Sequence, residues 1–375
     1  MADRKDDRKT DSALARTLTA LDNATGVSGN EEEVAAFLKK EMAGLYDEFF
    51  EDPLGNQVYV RYGRNRDKRV VFSAHMDEIG YIIKYIEDEG FARIFPVGYH
   101  DDRMAVNQDL VFITSDGKKV QGITGSKPAH VMTAEDHEKV IKIDDLFVDF
   151  GTESAEETRA LGINIGDYGT FDRTGHFLNG TDYYSGKSVD NRAGLAVLVE
   201  TLRRLKGVEI EPTIYMVGST QEEVGMRAGS PLANRIKPEL FFAVDGTLTG
   251  GTPGMEYRDC AQKMGGGVSF KFYDWDPILT SGNNVSRKLT NHQIALARKH
   301  HIPFQREVIM GGGTDAGYAA QGGEGFLAGG ISIPMRYIHT AVGTVKLSDL
   351  EWCVEFTVKY LEEYVTLGVF LNADR

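Results

Sequence analysis

Two adjacent glutamates, Glu222-Glu223, close the run Thr213-Ile-Tyr-Met-Val-Gly-Ser-Thr-Gln-Glu-Glu-Val-Gly225. The apolar, partly β-branched stretch Ile214–Val217 predicts a buried strand. Such a strand delivers two carboxylates side by side at its carboxyl end, the edge where α/β proteins bind ligands. Neighbouring like charges repel. A divalent metal neutralises them and leaves the second carboxylate free to act as a base. Taken alone, the pair also fits a solvated acidic loop.

Other residues extend the pattern. His75 directly follows the predicted buried strand Arg69–Ala74, apolar along Val70-Val71-Phe72, and Asp77 lies two residues on. At strand spacing the two side chains share a face, so Asp77 is placed to orient the imidazole of a metal-bound His75. Asp190 opens a helical pattern in Ser188-Val-Asp-Asn-Arg-Ala-Gly194, and Asp245 ends the buried strand Leu240-Phe-Phe-Ala-Val244. His339 lies in Pro334-Met-Arg-Tyr-Ile-His-Thr340, a loop ahead of the last helix. Two His and three carboxylate ligands suit a dinuclear Zn, Co or Mn site. Singly, each residue has a plainer role: Asp190 as a helix cap, Asp245 in a turn, His75 bonded within a core, His339 on the surface. Together, at predicted strand and helix edges, they favour the metal.

The elements that would carry these residues read as α/β. Helical spacing covers Asp11 to Asn23, and Ser28-Gly-Asn-Glu31 reads as a capping box opening a helix through Leu45. Strands are expected at Gln57–Arg61, Arg69–Ala74 and Ile302–Ile309, and a long helix at Asp190–Lys206. Ser348-Asp-Leu-Glu351 reads as a second capping box, starting a helix to about Val365. The segment 84–176 breaks this rhythm with short β-like runs, among them Ala92-Arg-Ile-Phe, Leu110-Val-Phe-Ile-Thr and Lys119-Val-Gln-Gly-Ile-Thr. It is read as a small β-rich domain inserted into a discontinuous catalytic domain of residues 1–83 and 177–375. The clusters Gly265-Gly-Gly267 and Gly311-Gly-Gly313 match neither a P-loop nor a GxGxxG fingerprint.

Composition bounds the partners. The chain has 375 residues, 41% hydrophobic, enough for about two domains. A net charge of −14 argues against nucleic acid and anionic membrane surfaces. With only two cysteines, Cys260 and Cys353, and no CxxC or Cys/His cluster, the sequence disfavours a disulfide scaffold or zinc ribbon. The charged tail Met1–Thr10 lacks the apolar core of a signal peptide and is expected to be disordered. A cytoplasmic protein is expected.

The motifs in order resemble the M42 family of metallo-aminopeptidases, the tetrahedral and glutamyl aminopeptidase type. The matching segments are Ala-His75-Met-Asp77-Glu-Ile-Gly, Gly186-Lys-Ser-Val-Asp190-Asn-Arg-Ala-Gly, Gln221-Glu222-Glu223-Val-Gly, Ala-Val-Asp245-Gly, Gly313-Thr-Asp315-Ala and Ile-Pro334-Met-Arg-Tyr-Ile-His339. Within the insert, Gly125-Ser-Lys-Pro-Ala-His130 and Ile143-Asp-Asp-Leu-Phe-Val-Asp149 also match. The resemblance implies a mixed-sheet, zinc-peptidase-like α/β/α catalytic domain with an inserted small β-barrel-like domain. It implies Asp190 as the ligand bridging two metals, His75 and Asp245 completing one site, and Glu223 and His339 the other. Glu222 would be the general base, deprotonating a metal-bridging water that attacks peptides with a free N-terminus. The insert would pair subunits into dimers, and dimers into a hollow tetrahedral dodecamer. One departure is the stretch His339-Thr-Ala-Val-Gly343, where relatives commonly carry an acidic residue. The alternatives are an M20-type co-catalytic zinc carboxypeptidase or amidohydrolase, and a non-catalytic scaffold subunit. A paired-carboxylate glycosidase would not need the two histidines.

Overall fold

The centre of the molecule is a set of four parallel strands whose sequences are apolar on both sides. Val70 and Phe72 of the strand Asn65–His75 pack into one core with Phe242 and Val244, while Val71 packs into a second core with Phe241 and Ala243. Successive side chains alternate faces, so a strand buried on both faces needs an unbroken apolar run. The protein is described by a computed structural model over residues 10–370; the tail expected to be disordered lies, but for Thr10, outside the described residues.

In spatial order the four strands are Pro212–Ser219, Asn65–His75, Leu240–Leu248 and Ala328–Arg336. All run the same way: Ser219 lies beside His75, and Asp245 beside Ser332. Antiparallel strands extend this mixed sheet on both sides, to twelve strands among the described residues. The helices Ala13–Asn23, Val189–Arg204 and Leu347–Glu362 cover one face; Gly229–Ile236 and Asp315–Ala320 cover the other. Gly194 lets the long helix approach closely, because a Cβ there would sit 2.4 Å from the Val244 carbonyl oxygen.

Soon after His75 the chain enters a closed antiparallel barrel. Its strands, in order around it, are Gly80–Ile86, Ala92–Val97, Phe147–Asp149, Lys119–Thr124, Asp109–Ile113 and Tyr168–Phe171. Lys119–Thr124 alternates strictly, with Val120, Gly122 and Thr124 buried and Lys119, Gln121 and Ile123 exposed. The fold is therefore the mixed α/β architecture with a β-barrel insert that the sequence predicts.

Several local expectations are corrected. Ser28 does not cap the helix Glu32–Met42; its hydroxyl donates to Asp77 Oδ2 at 2.5 Å. Ser348 lies inside the helix Leu347–Glu362, which has no side-chain cap. Its neighbour Asp349 accepts instead from the amides of Gly265 and Gly267, at 2.6 and 2.9 Å, which gives that glycine cluster its structural use. The strand carrying Asp245 continues to Leu248. No helix among the described residues is long and apolar enough to cross a membrane.

Candidate active site

Because the four central strands are parallel, their carboxyl ends share one edge, and the predicted site residues meet there. His75 is the last residue of its strand, Glu222 and Glu223 follow Ser219, Asp245 lies near the end of its strand, and His339 follows Arg336. Asp190 comes from the amino end of the long helix, in a non-helical conformation (φ −88°, ψ 105°), so it is not an ordinary cap.

Two triads result. His75, Asp190 and Asp245 form one, and Asp190, Glu223 and His339 the other; within each, the ligand-type atoms lie within 4.8 Å of one another. His75 Nε2 is 3.3 Å from Asp190 Oδ1 and 3.6 Å from Asp245 Oδ1. His339 Nε2 is 3.1 Å from Glu223 Oε2 and 3.6 Å from Asp190 Oδ2. Each ring is oriented from behind by a backbone carbonyl: His75 Nδ1 by that of Asp77 and His339 Nδ1 by that of Tyr99, both at 3.0 Å. A carbonyl accepts only, so Nδ1 carries a proton and Nε2 is the nitrogen turned to the triad, where its lone pair is available once its own proton is lost. Tyr99 belongs to the loop after the barrel strand Ala92–Val97, so the insert reaches the site.

Asp77 acts twice. Its carbonyl holds His75, while its carboxylate accepts from the amides of Glu222 and Glu223, at 3.1 and 3.0 Å. The Asp77 side chain itself is 3.5 Å from His75 Nδ1. The orienting role that the spacing predicts for Asp77 is thus met by its main chain, and the side chain fixes the glutamate pair.

The charges are in conflict without a cation. Burial opposes a charge on His339, yet Glu223 and Asp190 raise its pKa to about 9. His75 is likewise held well above its ordinary value by Asp190, Asp245 and Asp77, against burial. Burial pushes the Glu222 carboxyl well up, with Asp245, Glu223 and Asp315 adding to it and His75 opposing. Asp190 Oδ1 is buried with no hydrogen-bond partner. A carboxylate shared by two His/carboxylate triads, with one oxygen orphaned, is what a pair of divalent cations would satisfy, so the donors fit the metals that the sequence implies.

Other functional groups were not foreseen. Asp315 is buried beside Ser219 Oγ (2.7 Å), and burial, opposed by that bond, raises it to about 7. Glu78 accepts from Lys187 Nζ at 2.7 Å, the Gly26 amide at 3.0 Å and the barrel's Thr170 Oγ1 at 3.0 Å; Arg192 Nη2 lies 3.3 Å away and its other terminal nitrogen donates to the Met76 carbonyl. Lys187 and Arg192 sit inside the matched segment around Asp190, which was the available signal. The site opens into a cavity of about 740 Å³.

The fold and site together are those of a peptidase, and relatives agree. Residues 55–356 match the family described as M42 glutamyl aminopeptidase. A putative aminopeptidase of Acetivibrio thermocellus is 35% identical over 334 residues, 89% of this chain and 94% of that one. The solved aminopeptidase APDkam598 of the archaeon Desulfurococcus kamchatkensis superposes with a TM-score of 0.89 at 33% identity, covering 96% of this chain and 98% of that one. The Pyrococcus horikoshii TET1 peptidase, which can assemble into a tetrahedron or a large octahedral shell, gives 0.83 at 31% identity, covering 94% and 100%. The chain belongs to the M42 family of aminopeptidases and is a hydrolase of peptide bonds.

Proposed function

We propose that the protein is a dinuclear metal-dependent aminopeptidase that releases N-terminal residues from peptides in the cytoplasm. The observation that carries this reading is Asp190, one carboxylate belonging to both triads. His75 and Asp245 would hold one divalent cation, Glu223 and His339 the other, and Asp190 both; Zn, Co and Mn all suit this donor set. Bound there, the cations would polarise the scissile carbonyl and acidify a water.

Glu222 lines the same cavity but belongs to neither triad. Its carboxylate takes a proton from the attacking water and returns it to the leaving amine. Asp77 holds the backbone of both glutamates, so the base and its neighbouring ligand keep a fixed spacing. The free α-amino group of the substrate is a cation, and the acidic lining supports its binding. Family membership sets this reading above the M20-type alternative.

The barrel domain, residues 84–176, is proposed to pair subunits, with dimers closing into a tetrahedral dodecamer. The tetrahedral assembly of the Pyrococcus horikoshii relative supports this. Light scattering tests it: a strict monomer that is fully active refutes the assembly. The catalytic reading is tested by dialysis against chelator. Hydrolysis of aminoacyl-arylamides should vanish and return with Zn, Co or Mn, while N-blocked substrates stay intact. Activity that persists with metal verified absent sinks it.

A further inference from the structure

From the cavity beside the two triads we infer that the protein prefers an uncharged, apolar N-terminal side chain, of the leucine or methionine kind, and discriminates against acidic ones. The inference rests on the aminopeptidase reading above and deepens it; it runs against what the family's name alone would suggest. Beyond the site residues, the cavity is walled by Tyr99, Met226, Leu248, Ile278, Leu279 and Ile309. Ile278 is 71% exposed at its mouth, and an apolar side chain of the substrate would cover that surface.

Charge decides against an acidic side chain. Among the described residues lining the cavity, Lys271 is the one lysine or arginine. It is not free to receive a carboxylate. Its Nζ lies 3.2 Å from Asp274 Oδ2 and 3.1 Å from Glu307 Oε1, with all three side chains buried. One ammonium thus faces two carboxylates, and the cluster carries an excess negative charge. Lys263 and Arg336 do not line the cavity; the Arg336 guanidinium lies 5.8 Å from the Tyr183 ring centroid. A glutamyl side chain would lose its hydration and meet no unpaired cation; the one buried, unpartnered side-chain hydroxyl among the described lining residues, that of Thr247, is neutral. A lysyl side chain is opposed less, since Asp276 lines the cavity and one of its oxygens is taken by the amides of Ile278 and Leu279, at 2.7 and 3.0 Å. The walls around it are apolar, which favours the neutral side chain.

The test is a panel of leucyl, methionyl, lysyl and glutamyl arylamides with the full-length, Zn- or Co-loaded protein. Leucyl and methionyl kcat/KM should exceed lysyl, and should exceed glutamyl by about tenfold or more, the scale on which apolar pockets discriminate. Glutamyl or lysyl equal to or above leucyl overturns the inference while leaving the aminopeptidase reading in place. Hydrolysis of none of the panel by loaded protein overturns that reading and the inference with it. A substitution in the wall tests the same point from the other side. Ile278→Lys places an unpaired cation at an exposed position where folding is not at risk. It should raise the glutamyl-to-leucyl ratio at least about tenfold, and an unchanged ratio counts against this wall as the determinant.

Discussion

The catalytic sheet and the inserted barrel use the same strand chemistry to opposite ends. In the sheet, both faces of the central strands are buried and polarity is displaced to one edge, where His75, Asp190, Glu223, Asp245 and His339 converge from distant parts of the chain. In the barrel, a strand such as Lys119–Thr124 has one face in and one face out, and charges pair outside, as Lys84 with Asp144 and Lys142 with Asp102. Such exposed pairs add little to stability, because water and salt screen them. The sheet edge gathers like charges that oppose one another until a cation arrives; the barrel's pairs are already balanced. Chemistry in this chain is concentrated where parallel strands stop, and the barrel serves through what it touches.

Substitutions can break that division. Asp190→Asn should have the largest effect, since one change weakens both triads. Metal content by plasma mass spectrometry should fall at both sites, and turnover should drop below detection. Glu222→Gln should lower kcat by about 10²- to 10⁴-fold, the usual worth of a general base, with metal content unchanged. Metal lost from Glu222→Gln, or near-normal turnover, would refute the division of roles along the pair.

Metal binding should depend on pH in a direction the site dictates. In the metal-free protein His339 titrates near 9, raised from 6.5. A cation needs the neutral ring, so below about pH 9 binding must expel that proton. Apparent affinity should therefore rise with pH through neutrality, by up to about tenfold per unit per proton, and level off above that value. In the metal-free chain the same raised pKa stabilises the fold fully below 6.5, and the stabilisation is lost as pH rises through about 9. Calorimetric titration of Zn at pH 7, in buffers of different ionisation heat, should show proton release. Equal heats in both buffers would contradict the assignment.

The smallest effect belongs to the barrel. Thr170→Val removes the one barrel hydroxyl bonded to Glu78 and leaves that carboxylate its other partners. It should cost about 1 kcal/mol and lower Tm by about 2 °C, with kcat retained. A loss of kcat larger than the loss of stability would show that the barrel takes part in the chemistry more directly than this division allows.

The sheet edge was legible in the sequence for a physical reason. Strands buried on both faces must be apolar throughout, so runs such as Val70-Val71-Phe72 and Leu240–Val244 stand out, and the polar residues that end them stand out equally. Local capping patterns misled. Ser28 and Ser348 have the right neighbours for capping boxes, but a long-range partner took Ser28, and the helix at Ser348 begins one residue earlier. The first buried cluster, Lys187–Glu78–Arg192, lies in matched segments, but its pairing could not be read from them, and Lys271–Asp274–Glu307 carried no signal, since nothing in the order of residues marks a lysine as buried. Asp77 stands out in the sequence for its side chain and matters also through its carbonyl, which every residue possesses.

The carbonyl of Tyr99 makes the two regions mechanically inseparable. It is a main-chain atom of the barrel's own loop, and it fixes the tilt of a ring in the opposite region. A displacement of the barrel by about an ångström would stretch that bond beyond its working range and let the ring turn. Thermodynamic linkage is reciprocal, so a cation that locks the His339 ring must tighten the seat of the barrel by the same free energy. Whatever grips the outside of the barrel thereby acts on the occupancy of a site it never touches.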